Sequence, residues 1–358
     1  MARPSRRSLQ RAARTLCRAA CCLALALLPP SGGRAQVAGL SSLAVFDLAS
    51  SARTAALGFD YLPLFDTDAS VGLANPSLLH PGMSGTAGLS FVTLFEGSNA
   101  GSLAYVHSLP RVGTLAAAFQ FVNYGRFHGY DEEENYTGDF GAADYALNLG
   151  FGIPLSDRFS LGVAVKPVLS EYEQYKAFAL MFDLGASYIS ASRSFAATLM
   201  ARNFGAQLAA FDRTVEPLPF ELSASLSYKL RNAPFRFFFA ATELQRWRLA
   251  YEDPLNPSVA TDPFTGETTS RSATASFFDN LMRHTLFGVE LSVGKTFYAR
   301  LGYSYRQSAE MRGFDAFNLS GFSFGAGLRT GRFEFGYARR NYHLSQALNY
   351  FTLNFRFQ

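Results

Sequence analysis

From residue 87 to the C-terminus, apolar side chains recur at every second position, with polar or small ones between them. In residues 222–231, Leu222, Ala224, Leu226, Tyr228 and Leu230 alternate with Ser223, Ser225, Ser227, Lys229 and Arg231. A period of two places one set on each face of a strand. The pattern predicts strands at 87–95, 100–109, 113–124, 139–153, 157–170, 175–190, 193–202, 218–231, 234–247, 280–293, 295–306, 319–330, 331–340 and 346–357. Most can supply the roughly nine to eleven residues that a tilted membrane-crossing strand needs. The expected fold class is therefore all-β, a transmembrane antiparallel β-barrel of about 14 strands.

The joins between strands support this expectation. Pro110-Arg111-Val112, Pro154 to Ser156, Asn232-Ala233, Gly294 and Thr330-Gly331 are tight, whereas 125–138, 203–217, 248–279 and 307–318 are long. Short turns on one side and long loops on the other is the asymmetry of bacterial outer-membrane barrels, whose turns face the periplasm. The expected location is accordingly the outer membrane, with the lipid itself as a partner. Parity then assigns Phe159, Leu161, Val163 and Val165 to the bilayer, with Phe287, Val289, Leu291 and Val293. Leu301, Tyr303 and Tyr305, and Phe333, Phe335 and Tyr337, follow the same rule. A charge facing lipid at the midplane costs roughly 2–4 kcal/mol. Lys166, Asp183, Lys229, Arg236, Glu290, Arg300, Glu334 and Arg356 are therefore expected in the lumen, either as a substrate conduit or as lumen filling. Tyr124, Trp247, Tyr305 and Tyr350 are candidates for the interfacial aromatic belts, and Trp247 also fits a partner contact.

The first 86 residues differ. Residues 1–35 carry a basic arginine-rich start, a short apolar stretch from Ala19 to Leu28, the breaker Pro29-Pro30 and a small-residue site at Gly33-Arg34-Ala35. This is the layout of a cleaved signal peptide. All three cysteines (Cys17, Cys21, Cys22) fall inside it, so no internal disulfide is expected in the mature chain. The leader also changes the charge. The whole chain has 32 basic and 28 acidic side chains; taking away the leader's seven arginines leaves 25 basic, a net charge near −3. Nothing here suggests nucleic acid as a partner. Residues 36–86 lack strict alternation, and Gly72, Asn75-Pro76 and Gly82 imply turns and short helical pieces. Leu57, Phe59, Leu62, Leu64 and Phe65 would leave apolar surface in water if this stretch were a free tail. It is expected to be a plug, or hatch, inside the barrel formed by residues 87–358.

Candidate chemistry is sparse. His80, His107, His128, His284 and His343 are scattered, show no metal-ligand spacing, and have no mature cysteine to assist them. His284 with Ser304 or Ser323 could in principle form a barrel hydrolase, but the expectation is no enzyme, no catalytic residue, no cofactor and no metal. Asp131-Glu132-Glu133-Glu134 in the 125–138 loop could meet a cation or a basic partner, or form a solvated loop tip. Asp253 and Asn256 fall within the proline-rich part of the longest loop, Asp253-Pro254-Leu255-Asn256-Pro257.

Several stretches resemble one family. They include Gly39 to Leu48 (GLSSLAVFDL), Ser51 to Gly58 (SARTAALG), Leu73-Ala74-Asn75-Pro76-Ser77-Leu78, and Phe121-Val122-Asn123-Tyr124-Gly125-Arg126-Phe127 with Gly129-Tyr130-Asp131. Others are Ala201 to Leu208, Glu216-Pro217-Leu218-Pro219-Phe220, Ala233-Pro234-Phe235-Arg236-Phe237, Leu244-Gln245-Arg246-Trp247 with Tyr251 to Leu255, and Tyr337 to His343. Together they resemble the PorQ-like barrel proteins of the type IX secretion system, over nearly all of the expected mature chain. The layout is also similar to the wider FadL-like superfamily, with Asn75-Pro76 in the position of the hatch element. The resemblance implies a non-enzymatic role in protein secretion, as an anchor for a cell-surface attachment complex with PorZ-, PorU- and PorV-like partners. It also implies that the long loops 125–138, 203–217, 248–279 and 307–318 make the contacts, with Asp131, Glu132, Glu133, Glu134, Asp253 and Asn256 as candidate contact residues. One departure is the terminal Gln358, where outer-membrane barrels often end in an aromatic residue. The alternative is a FadL-like channel for uptake of hydrophobic compounds, which would need an apolar pocket inside the barrel and a movable hatch.

Overall fold

In the computed structural model the described residues are 48–58, 63–95, 97–211, 215–249, 259–261, 268–270, 273–311, 319–341 and 347–357. The expected leader (1–35), residues 36–47 and the loop positions Asp253 and Asn256 lie outside them.

The alternating segments form β1 (Thr86–Thr93), β2 (Asn99–Leu109), β3 (Gly113–Tyr130), β4 (Tyr136–Pro154), β5 (Phe159–Tyr172), β6 (Tyr175–Ile189) and β7 (Phe195–Ala209). They continue as β8 (Glu221–Lys229), β9 (Phe235–Ala241), β10 (Thr285–Val293), β11 (Phe297–Ser304), β12 (Phe322–Thr330), β13 (Phe333–Asn341) and β14 (Ala347–Arg356). Each pairs antiparallel with its neighbours in sequence, and β1 closes on β14 with Leu89 opposite Leu353 and Phe91 opposite Phe351. The result is a closed antiparallel barrel of 14 strands. Closure leaves no sheet edge unpaired, which a hydrocarbon environment requires. Among the described residues no helix is long and apolar enough to cross a membrane. The strands do the crossing.

The outward face is apolar all the way round. Leu89 on β1, Leu103 on β2, Leu147 on β4, Leu199 on β7, Leu301 on β11 and Phe351 on β14 are all largely exposed. Exposed apolar surface on that scale does not survive in water and defines a bilayer-facing belt. The protein is a multi-pass outer-membrane β-barrel. Inward positions are small or polar, as at Ser223, Ser225 and Ser227 of β8, all buried. At the short-turn end, β12 and β13 are joined by two residues, with Gly331 at φ 55° in the left-handed region that glycine adopts without strain.

Several expectations are corrected. Residues 125–138 are not a loop, because β3 and β4 run on as a hairpin to the turn at 131–135. Residues 280–283 are not strand but the end of helix α3 (Ala273–Arg283), in which Phe277 and Leu281 follow a helical spacing. The strand expected at 234–247 ends at Ala241. Tyr305 is not on the lipid face: Ser304 caps a second helix, α4 (Tyr305–Glu310), by accepting the Gln307 N–H. Tyr124 and Tyr350 also leave the interfacial belt, since their parity turns them inward. The Tyr124 hydroxyl donates to Asp144 at 2.6 Å, and Tyr350 is 1% exposed.

Candidate functional site in the barrel lumen

Residues 48–58 and 63–83 sit inside the barrel. Helix α1 (Ala52–Leu57) starts at a capping box between Ser51 and Thr54 and ends at Gly58, in the left-handed region at φ 84°. Its small side chains let it lie against the wall, where the strands carry glycines. A β-carbon on Gly302 would lie 2.4 Å from the Leu57 carbonyl carbon, and one on Gly325 would lie 2.8 Å from Ala56 Cβ. The second plug helix is α2 (Ala69–Ala74). Asp68 caps it, accepting the Ser70 N–H at 3.0 Å.

Asn75 and Pro76 form the turn that follows. The Asn75 side-chain oxygen accepts the Ser77 N–H at 3.1 Å and the Ser77 hydroxyl at 2.6 Å, and Pro76 opens the short 3-10 turn Pro76–Leu78. This turn is pressed on the wall: a β-carbon on Gly162 would lie 2.1 Å from the Ser77 nitrogen. Hydrogen bonds tie the plug around the barrel. Ser160 donates to the Ser77 carbonyl at 2.6 Å, Ser227 to the Pro63 carbonyl at 2.6 Å, and Ser323 to the Ala56 carbonyl at 3.1 Å. From β14, Thr352 accepts the Ala52 N–H at 2.8 Å, and Asn354 donates to Asp68 at 3.1 Å.

Three of the lumen charges expected on the wall, Glu290, Arg300 and Glu334, form a closed ring with Arg329 and the plug. Arg53 of α1 meets Asp66 Oδ2 at 2.7 Å and Glu290 Oε2 at 3.0 Å. Arg300 meets Glu290 at 2.8 Å and Glu334 at 3.7 Å. Arg329 completes the ring, 2.6 Å from Glu334 and 3.4 Å from Asp66. Three arginines alternate with three carboxylates, so the ring is neutral and each acid is held by two cations. Burial alone would raise the Asp66 carboxyl, but Arg53 and Arg329 outweigh it and hold the group well below the usual carboxylate range. Arg53, Asp66 and Arg329 were not among the sequence-based candidates. The parity rule does not reach Arg53 and Asp66, which are outside the strands, but it does put Arg329 on the Glu334 side of the β12–β13 pair.

Lys166 and Asp183 pair with each other, 2.7 Å apart and both about 1% exposed. Asn203 joins them, accepting from Lys166 at 2.5 Å and donating its N–H to Asp183 at 2.9 Å. It can do so because β7 bulges there: the register against β6 slips between Phe182 and Leu184, and Asn203 takes φ 55°. Arg356 stands apart at the short-turn end, donating to the Gly82 carbonyl at 3.2 Å. Of the loop candidates, Asp131 shapes its own turn by accepting the N–H groups of Glu133 and Asn135 at 3.0 and 2.8 Å. Those bonds lower its pKa, the Asn135 N–H contributing most. Glu132, Glu133 and Glu134 are exposed at the tip.

The conjectured His284–serine pairing is not formed. His284 faces the Thr242 and Trp247 carbonyls at 2.7 and 3.1 Å, whereas Ser304 caps α4 and Ser323 bonds Ala56. Among the described residues no group of three or more His, Cys, Asp or Glu side chains is placed to hold a metal ion. Between plug residues Leu48–Ser50 and β1–β3 the interior cavity measures only about 20 Å³, less than the volume of a small hydrocarbon. A larger hollow of about 450 Å³, lined by Leu89, Phe91, Phe335, Tyr337, Phe351 and Leu353, lies on the lipid-facing wall.

No family model matches the chain, and no curated protein matches it. Solved structures do. The Pseudomonas putida toluene transporter TodX aligns at TM-score 0.48 and 12% identity, over 87% of this chain and 99% of that one. A Pseudomonas aeruginosa FadL homologue aligns at 0.46 and 10%, over 85% and 98%. CdiB from Acinetobacter baumannii aligns at 0.35 and 11%, over 76% and 60%. At these values the likeness is one of barrel architecture.

Proposed function

We propose that the protein is a non-enzymatic, plugged outer-membrane barrel that acts through its cell-surface side, anchoring the attachment complex of a type IX secretion system. The observation that carries this reading is the plug: it is bonded to the wall around the barrel and locked by the Arg53 ring. A barrel closed in this way serves as a rigid base, and the β3–β4 hairpin that rises past the belt offers an acidic tip to a partner. The resemblance of the plug and loop sequences to PorQ-like proteins supports the same reading, with PorZ-, PorU- and PorV-like proteins as partners. No comparison with known proteins bears on secretion.

The second reading is a FadL-like channel for hydrophobic compounds, and the comparisons back it better than the first: TodX is named a toluene transporter, and another neighbour is named a FadL homologue. One wall feature favours it. The β7 bulge at Asn203, with Gly205 at φ 156°, faces one edge of β6, and Pro167 of β5, which has no N–H for the sheet ladder, faces the other, opposite Leu180. Wall defects beside a buried Lys–Asp pair are where a lateral exit could open.

Deleting the gene in its own host separates the two. Loss of surface-attached cargo, with cargo collecting in the periplasm or escaping into the medium, is expected for the anchor. An intact surface proteome with lost uptake of long-chain or aromatic hydrocarbons would overturn it in favour of the channel.

A further inference from the structure

Helix α3 is built inside out. Phe277, Phe278 and Leu281 are 50%, 57% and 37% exposed, whereas Asn280 is 6% exposed. Asn280 uses both ends of its amide inward, accepting the Leu249 N–H at 2.8 Å and donating to the Trp247 carbonyl. Asp279 accepts the Tyr305 hydroxyl at 2.8 Å and pairs with Arg283 at 2.9 Å. His284, directly after the helix, is buried. Trp247 extends the apolar face: it is 51% exposed, with its ring 5.2 Å from Phe277. A helix resting on a protein in water turns its apolar stripe inward. The reverse arrangement, with polar groups satisfied against protein and aromatic ones outside, belongs to a hydrocarbon solvent.

The position of α3 agrees. It leads directly into β10, and β9 on the other side has only 7 residues, short of the roughly nine to eleven that span a bilayer. Phe239 and Phe287, whose rings are 5.4 Å apart, carry the lipid-facing belt up these two strands toward α3. Asp279 marks the inner side of α3, because it meets α4, whose Gln307 reaches the Asn341 carbonyl at the end of β13. Phe277 and Leu281 lie one turn apart on the side away from α4.

We propose that α3 and Trp247 lie in the outer leaflet, completing the lipid-facing wall where β9 stops short, with Phe277, Phe278 and Leu281 against the acyl chains. The chain contains one tryptophan, so Trp247 reports on this face without any substitution. The test is fluorescence of the purified full-length protein in bilayers of phospholipid brominated on the acyl chains near the headgroup, compared with unbrominated bilayers. The proposal expects a blue-shifted emission maximum, loss of emission in the brominated bilayers and weak quenching by aqueous acrylamide. Emission unaffected by bromine and quenched by acrylamide as freely as a dissolved indole would overturn it, and would leave a protein partner as the occupant of that face.

Discussion

Arg53 of the plug donates to both carboxylate oxygens of Glu290 on the barrel wall, at 3.2 and 3.0 Å, and neither side chain is more than 4% exposed. This buried fork joins two parts of the chain 237 residues apart. Removing Glu290 leaves Arg53 with Asp66 and Arg300 with Glu334, one positive charge in excess in a buried ring, at a cost of up to about 3–5 kcal/mol. Glu290→Ala is therefore expected to loosen the plug from the wall while leaving the strands paired. Hydrogen exchange of residues 51–58 and 64–79 checks it, and unchanged protection there would refute the role given to the ring. The double replacement Arg53→Met with Glu290→Leu is expected to restore much of the protection, because it removes both charges together.

Acid has a defined sign at this site. The folded pKa of Asp66 lies below its ordinary 3.8. Its contribution is thus complete above about 4 and fades as pH falls through the lower folded value, when the carboxyl protonates and releases Arg53 and Arg329. The plug should keep its protection from neutral pH down to about 4 and lose part of it in stronger acid. Asp66→Asn should have the looser plug at neutral pH and a flatter acid profile. Protection measured against pH in both proteins decides this, and identical profiles would exclude Asp66 as the group responsible.

The turn at Asn75-Pro76 depends on a missing side chain opposite it. Any β-carbon on Gly162 meets the Ser77 nitrogen at 2.1 Å, and neither backbone can yield cheaply. Gly162→Val is expected to cost at least the roughly 1–3 kcal/mol typical of overpacking, read as a lower unfolding temperature on heat-modifiability gels. Gly141→Val places its β-carbon no nearer than 3.9 Å to the Gly125 carbonyl oxygen and serves as the tolerant control.

Much of the wall was legible because a two-residue period records lipid on one side and lumen on the other at every position. The same period identified Glu290, Arg300 and Glu334 as inward. It failed where the chain left the sheet. Asn280 to His284 can be scanned as strand, whereas in the fold 280–283 is the last turn of α3. Tyr124 and Tyr350 depart from expectation for another reason: their rings suit an interfacial belt, but their parity turns both inward. Arg53 could not be placed from the sequence, since its partners come from β10 and from its own plug, and no local pattern encodes a contact of that range.

Asp131 and its three glutamate neighbours share one turn but have separate duties. Asp131 holds the turn through the N–H groups of Glu133 and Asn135, while Glu132, Glu133 and Glu134 leave their carboxylates in water. Exposed substitutions of this kind change stability by about 0.5 kcal/mol or less. Replacing all three glutamates with glutamine should therefore leave barrel assembly and thermal unfolding unaltered. If the hairpin is the seat of a basic partner, the same variant should weaken retention of the surface complex, and more so at low salt, where exposed charges act over longer distances. Asp131→Ala should behave differently, opening the turn and weakening retention at any ionic strength. Co-purification of surface proteins with the wild type and both variants at two salt concentrations tests this. Retention by the triple variant equal to wild type at low salt would remove the acidic tip from the contact surface and leave the other long loops to supply it.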